Sequence, residues 1–194
     1  MKTYFFITGI ISLLFGQCTQ PKSVTPKIDY DKESIKLMSE VAPKLIGQWT
    51  LQEVAISYKK GDYYQNQAQI TKDTVLNNVA TLTIRSVSKS RFDPPQAKHP
   101  EFEGSIQYGT KTYPIYFYLL ANAERIMNKT GPQASFLFEY NFPNGFRLVE
   151  PEEVYLRNVG IVNDNYSVEL VDGQPVMIWR GGNRGINQMR LVRK

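Results

Sequence analysis

From Gly47 to the C-terminus, apolar and polar residues alternate in short segments that are separated by turn residues. The segment Phe102 to Tyr108 alternates strictly in this way, and Ser135 to Phe142 repeats the pattern with four aromatic residues. Successive side chains of a strand point to opposite faces of a sheet, so each segment presents one apolar face. The pattern predicts an all-β domain.

The turn signals divide this region into about nine predicted strands. They are Gly47 to Tyr58, Val79 to Ser88, Phe102 to Tyr108, Thr112 to Leu120, Ala134 to Phe142, Val154 to Val162, Tyr166 to Val171, Pro175 to Arg180 and Ile186 to Arg193. Antiparallel strands joined in chain order close most simply into a barrel. We therefore predict an antiparallel up-and-down β-barrel of about eight to ten strands.

Local signals fix some connections within this barrel. Gly109-Thr110 and Asp172-Gly173 each predict a tight hairpin, and Pro143-Asn144-Gly145 predicts a turn into an extended segment from Phe146 to Val149. The apolar phase of the first strand changes after Leu51, which predicts a β-bulge there.

One helix is predicted before the strands, from Asp31 to Lys44. Ile35, Met38 and Val41 recur at helical spacing, Asp31 is a capping residue, and Pro43 with the following Gly47 ends the pattern. A shorter helical turn is predicted within Ala121 to Met127. The domain therefore comprises residues 31–194, with the first helix beside the barrel.

The N-terminus has the features of an export signal. Lys2 precedes a run from Tyr4 to Phe15 that is too short to be a permanent membrane span, and Cys18, the single cysteine of the chain, follows it. The stretch Thr19 to Lys27 contains two prolines and no acidic residue, which predicts an extended linker. Residues 1–17 are predicted to be the signal and residues 18–30 an anchor and linker.

The position of Cys18 resembles that in bacterial lipoprotein precursors, in which cleavage precedes a cysteine that carries lipid. This resemblance implies lipid attachment at Cys18 and a place in the bacterial cell envelope, on the periplasmic side of the outer membrane. The alternative is ordinary signal-peptidase cleavage after Cys18, with Gly16 and Cys18 as the small residues, which predicts a soluble periplasmic or secreted protein.

The start of the first strand, Gly47-Gln48-Trp49, resembles the Gly-x-Trp opening of the lipocalins and the wider calycin group. The resemblance implies that glycine lets the chain bend and that Trp49 closes the barrel floor beneath an arginine from a late strand. Arg190 and Arg180 are the candidates for this arginine, and we prefer Arg190. Because lipocalins commonly hold hydrophobic molecules, Phe117, Phe136, Phe138 and Tyr140 are the candidate residues lining a cavity.

The sequence contains no convincing catalytic, metal or cofactor motif. His99 is the only histidine, so neither a catalytic triad nor a multi-histidine zinc site forms around it. The cluster Glu150, Glu152 and Glu153 has no spaced calcium-ligand pattern, and the segment Trp179 to Gly185 is interpreted as a hairpin rather than an anion site. The net charge of +5 is not interpreted as nucleic-acid binding, because the chain is predicted to be exported.

Two non-enzymatic functions remain at this point. The first is a membrane-anchored carrier that binds a small hydrophobic molecule or lipid inside the barrel. The alternative is an envelope interaction module whose barrel is filled by its own side chains, with the N-terminal lipid serving only to hold it at the membrane. The volume of the barrel interior distinguishes them.

Overall fold

The computed structural model describes residues 28–194. The predicted signal, Cys18 and the linker up to Lys27 lie outside the described residues. Among residues 28–194, no helix is both long enough and apolar enough to cross a membrane.

The strands form one antiparallel sheet with the order β4-β3-β2-β1-β9-β8-β7-β6-β5. Their bounds are β1 Gly47–Ile56, β2 Thr74–Ser86, β3 Glu101–Tyr108, β4 Lys111–Tyr118, β5 Leu120–Ala121, β6 Ala134–Tyr140, β7 Asp164–Leu170, β8 Val176–Gly181 and β9 Ile186–Arg193. An additional pairing between β4 and β6 closes eight of the strands into a barrel, and β5 is the extra strand. The predicted all-β, up-and-down barrel is confirmed and is consistent with a lipocalin-like architecture.

The pairing that closes the barrel is short. Ile115 is opposite Tyr140 and Tyr116 is opposite Glu139, and the Asn141 amide donates to the Pro114 carbonyl at 2.9 Å. The first and last strands, in contrast, pair along most of their lengths, from Trp49 to Ile56. Barrel closure therefore depends on a small number of backbone contacts between β4 and β6.

The predicted local features of the sheet are also present. The hairpins at Gly109 and Gly173 connect β3 to β4 and β7 to β8, and both glycines have positive φ. The register between β1 and β2 shifts between Leu51 and Glu53, where the change of apolar phase predicts a bulge.

The first helix, α1 (Tyr30–Leu45), begins slightly earlier than predicted. Its N-cap is Asp29, whose side chain accepts from the Lys32 amide at 3.1 Å, and not Asp31. Met38 and Leu45 are buried in the core. We call the end of the barrel where α1 meets the start of β1 the α1 end.

The opposite end holds α2 (Tyr63–Gln67) and α4 (Pro151–Val159), and a further short helix, α3 (Ala123–Asn128), lies at the α1 end. We call the end that α2 and α4 cover the α4 end. The predicted short helical turn corresponds to α3.

The predicted strand Val154 to Val162 is wrong, because Pro151 begins a helix there that ends at Gly160 with φ of 94°. Phe146 to Val149 likewise forms no strand.

The core is continuous from one end of the barrel to the other. Inward-facing residues of the strands join Met38 and Leu45 from the α1 end and Leu156 and Val159 from the α4 end in a single apolar cluster. Both ends of the barrel are therefore covered by apolar side chains of helices.

Candidate functional site

The middle of the barrel holds a cluster of aromatic rings. Phe117 lies 4.9 Å from Phe136 and 5.9 Å from Phe138, measured between ring centroids. Trp179 meets both Phe136 and Phe138 edge-on, at 4.8 and 5.1 Å. Phe102 stacks on Phe117, and the Tyr166 ring lies tilted against Phe136. We call these six residues the aromatic cluster.

Each member of the aromatic cluster is almost completely buried, with at most 1% of its surface exposed. Centroid separations of about 4.5–7 Å are those of rings in direct contact, and such pairs add to the stability that burial supplies. Three of the four predicted cavity residues, Phe117, Phe136 and Phe138, therefore contact each other and Trp179 across the interior.

The fourth predicted cavity residue, Tyr140, lies apart from the aromatic cluster. Its ring packs on Tyr113 and Phe142, and its hydroxyl donates to the backbone carbonyl of Glu153 at 3.2 Å. Together with Leu137 and Arg157, Tyr140 lines a groove of about 490 Å³ on the surface at the α4 end.

One polar atom in the aromatic cluster has no partner. The indole nitrogen of Trp179 is buried and makes no hydrogen bond. Because buried N–H groups are nearly always hydrogen-bonded, this donor is unusual in an otherwise apolar interior.

Gly47 and Trp49 lie at the α1 end, and the arginine beside Trp49 is Arg193 and not Arg190. The guanidinium carbon of Arg193 lies 4.5 Å from the centroid of the Trp49 ring. Arg190 instead donates to the Gln52 side chain on the outside of the barrel at 3.1 Å. The alternation of β9 explains this, since Met189 and Leu191 face inward and Arg193 continues their phase.

Contacts around Trp49 join the barrel to α1. The Trp49 indole donates to the Leu45 carbonyl at 2.8 Å, and Arg193 donates to the Lys44 and Ile46 carbonyls at 2.7 and 3.0 Å. A Cβ at Gly47 would lie 2.8 Å from the Arg193 guanidinium, and Gly47 has φ of 142°. The backbone conformation therefore favours glycine, and a side chain at this position would also displace the Arg193 guanidinium.

The loop between β6 and α4 is held by two ion pairs. Arg147 makes a bidentate pair with the buried Glu153, at 2.6 Å to each oxygen, and its guanidinium carbon lies 3.4 Å from the Phe142 ring centroid. Glu150 accepts from Lys111 at 2.5 Å and from the Tyr113 hydroxyl at 2.8 Å. Burial and this bond to Glu150 raise the pKa of Tyr113.

A second buried carboxylate lies beneath the loop between β2 and β3. Glu101 accepts from the Tyr116 hydroxyl at 2.6 Å, from the Arg91 amide at 2.8 Å and from the Ser90 hydroxyl. Burial acts to raise the pKa of Glu101, but these hydrogen bonds outweigh it and hold the pKa below its ordinary value.

The remaining polar residues that the sequence highlights have structural contacts. His99 lies against the Leu119 carbonyl at 3.3 Å, and Arg184 pairs with the buried Asp164 at 3.6 Å. Arg184 also donates to the Arg157 and Asn163 carbonyls, both at 2.5 Å, so the glycine-rich hairpin is tied to α4. Over residues 28–194, no group of three or more histidine or acidic side chains is placed to hold a metal ion.

Comparison with known proteins adds no family. No protein-family model, no curated protein and no solved structure matches the chain.

Proposed function

We propose that the protein is a non-catalytic interaction module of the bacterial envelope, held at a membrane by lipid on Cys18. In this role the barrel is a rigid support, and recognition takes place on its outer surface. The lipid restricts the module to the membrane without taking part in recognition.

The mutual contact of Phe117, Phe136, Phe138 and Trp179 is the observation that carries this proposal. Interiors packed in this way have low free volume, and a ligand would have to displace several large rings to enter. Apolar side chains from α1 and α4 also cover both ends of the barrel, where carriers of this architecture would need an open mouth.

A carrier is the second candidate, and one specific observation favours it. The unpartnered indole nitrogen of Trp179 would gain a hydrogen bond from a ligand with an acceptor group in the interior. The two candidates make opposite predictions for ligand binding.

A titration of the purified protein with an apolar fluorescent probe distinguishes them. The interaction module predicts no stoichiometric binding, and native mass spectrometry should show no mass beyond that of the chain and its covalent lipid. The matched control is Phe136→Ala, measured at low temperature to keep it folded. Removal of the ring should leave an apolar cavity in the interior, and engineered apolar cavities bind small apolar molecules. Stoichiometric binding by the wild-type protein that fatty acids displace would support the carrier and overturn the module.

The lipid anchor has its own test. Replacement of Cys18 by serine should move the protein from the membrane fraction to the soluble fraction, whereas Gln17→Ala should leave it in the membrane fraction. A C18S protein that is processed and membrane-bound like the wild type would contradict the anchor.

A further inference from the structure

The loop between β6 and α4 exposes three large apolar side chains. Phe146 is 96% exposed, Leu148 80% and Val149 56%. Isolated apolar residues are common on protein surfaces, but here three lie within four positions of one loop, and concentrations of exposed apolar surface mark interaction sites. We call Phe146, Leu148 and Val149 the apolar loop.

The apolar loop is held in its exposed position. Arg147, between Phe146 and Leu148, points inward to Glu153 and lies over the Phe142 ring. Glu150, which follows Val149, is bound to Lys111 and Tyr113. A segment fixed in this way loses little further conformational freedom when it binds, so it is preorganised for recognition.

The position of the apolar loop argues against the anchoring membrane as its partner. The loop lies at the α4 end, whereas Ile28, where the described chain begins, precedes α1 at the opposite end. Tyr30, the first residue of α1, contacts Met127 of α3 there, and Asp31 pairs with Lys98 in the loop between β2 and β3. Residues 19–27 span about 30 Å at full extension. If Cys18 carries lipid, as the proposed function requires, the lipid keeps the α1 end within this distance of the membrane, whereas the apolar loop lies at the opposite end of the barrel.

The charges beside the apolar loop also argue against a lipid surface. The three cations Lys111, Arg147 and Arg157 are matched by three carboxylates, Glu150, Glu152 and Glu153. Two of the cations are already paired, Arg147 with Glu153 and Lys111 with Glu150. Loops that bind anionic bilayers carry an excess of Lys and Arg over Asp and Glu. The groups around the apolar loop have no such excess.

We propose that the apolar loop docks into an apolar pocket with an uncharged rim on another envelope protein. Phe146 is the central contact, since a fully exposed aromatic ring on a fixed backbone is the kind of residue that dominates binding interfaces. This inference rests on the proposed function and names the surface that the module uses.

Photocrosslinking with the full-length protein in intact cells tests the proposal. A photoreactive residue at position 146 and one at position 148 should each give the same single adduct with one other envelope protein. The same residue at Leu120, which is exposed at the α1 end, should not give this adduct. An adduct with a second copy of the chain, an adduct common to all three positions, or no adduct at all would overturn the proposal.

Binding between the purified protein and the crosslinked partner completes the test. Phe146→Ser and Leu148→Ser should each weaken binding by about tenfold or more, and Leu120→Ser should change it less than about twofold. Because Phe146 is 96% exposed, Phe146→Ser should keep the wild-type melting temperature.

Binding to phosphatidylglycerol vesicles that is lost in Phe146→Ser would instead assign the loop to a membrane. Stoichiometric binding of the apolar probe would contradict the proposed function without affecting the crosslinks.

Discussion

Arg193 and Trp49 are opposite each other on the last and first strands, with the Arg193 guanidinium carbon 4.5 Å from the Trp49 ring centroid. The same guanidinium donates to the carbonyls of Lys44 and Ile46 at the end of α1. One side chain therefore contacts the first strand, the last strand and the helix. Arg193 therefore links the end of α1 to the paired first and last strands.

Replacement of Arg193 by methionine should lower the free energy of unfolding by about 1–2 kcal/mol, because an exposed cation–π contact and two hydrogen bonds are lost. Replacement of Arg190 by methionine is the matched control and should cost less than about 0.5 kcal/mol. Urea unfolding measures both values. A larger effect at Arg190 than at Arg193 would contradict the assignment of the floor arginine.

The difference between Arg190 and Arg193 shows what the sequence could and could not predict. The resemblance to the Gly-x-Trp motif implies a late arginine, but Arg180, Arg190 and Arg193 all lie in the last two strands. The inward phase of Met189 and Leu191 identifies Arg193, and this signal is present in the sequence. The alternation of β9 therefore places Arg193, and not Arg190, on the inward-facing side of the strand.

The region Val154 to Val162 is a helix although its sequence predicts a strand. Val154 and Leu156 fit a period of two, and a pattern this short does not separate a strand from a helix. The helix signals lie at its borders, with Pro151 at the first turn and Gly160 at the end. No feature of the sequence marks Phe146 as exposed, because the Arg147–Glu153 ion pair that holds this loop forms only in the folded structure.

Phe136 is predicted to be essential to the stability of the barrel interior. Phe136→Ala should lower the free energy of unfolding by about 3–5 kcal/mol, because it removes a ring that contacts Phe117, Phe138 and Trp179 and leaves a cavity. The adjacent Leu137 is 41% exposed, so Leu137→Ala should cost less than about 1 kcal/mol. Equal losses for the two variants, measured by urea unfolding, would show that the interior is loosely packed.

Gly104 allows β2 and β3 to approach more closely than a side chain would permit. A Cβ at this position would lie 1.8 Å from the Thr83 carbonyl oxygen, which is part of the backbone and has no freedom to move aside. Gly104→Ala should therefore cost about 3 kcal/mol or more. Gly173→Ala, where no atom lies within 4 Å but φ is 69°, should cost only about 1 kcal/mol. The order of the two melting temperatures checks the prediction.

Glu101 should make the fold sensitive to acid. Its pKa is lower in the folded protein than in the unfolded chain, so the ionised carboxylate stabilises the fold above the unfolded pKa of about 4.3. This contribution is lost as the pH falls through the lower, folded pKa, when protonation weakens the bonds from Tyr116 and the Arg91 amide. Stability should therefore decrease between about pH 5 and pH 3.

The variant Glu101→Gln distinguishes the contribution of Glu101 to acid sensitivity from that of the other carboxylates. The variant should be less stable than the wild type at pH 7, because a neutral amide accepts more weakly from Ser90, Tyr116 and Arg91. Its stability should also fall less between pH 5 and pH 3, as measured by urea unfolding at each pH. Glu103, two positions along β3, pairs with the exposed Arg85 at 3.3 Å, so Glu103→Gln should keep the wild-type pH dependence. If Glu101→Gln loses as much stability on acidification as the wild type, the acid sensitivity belongs to another carboxylate, and the buried cluster around Glu101 is only a packing feature.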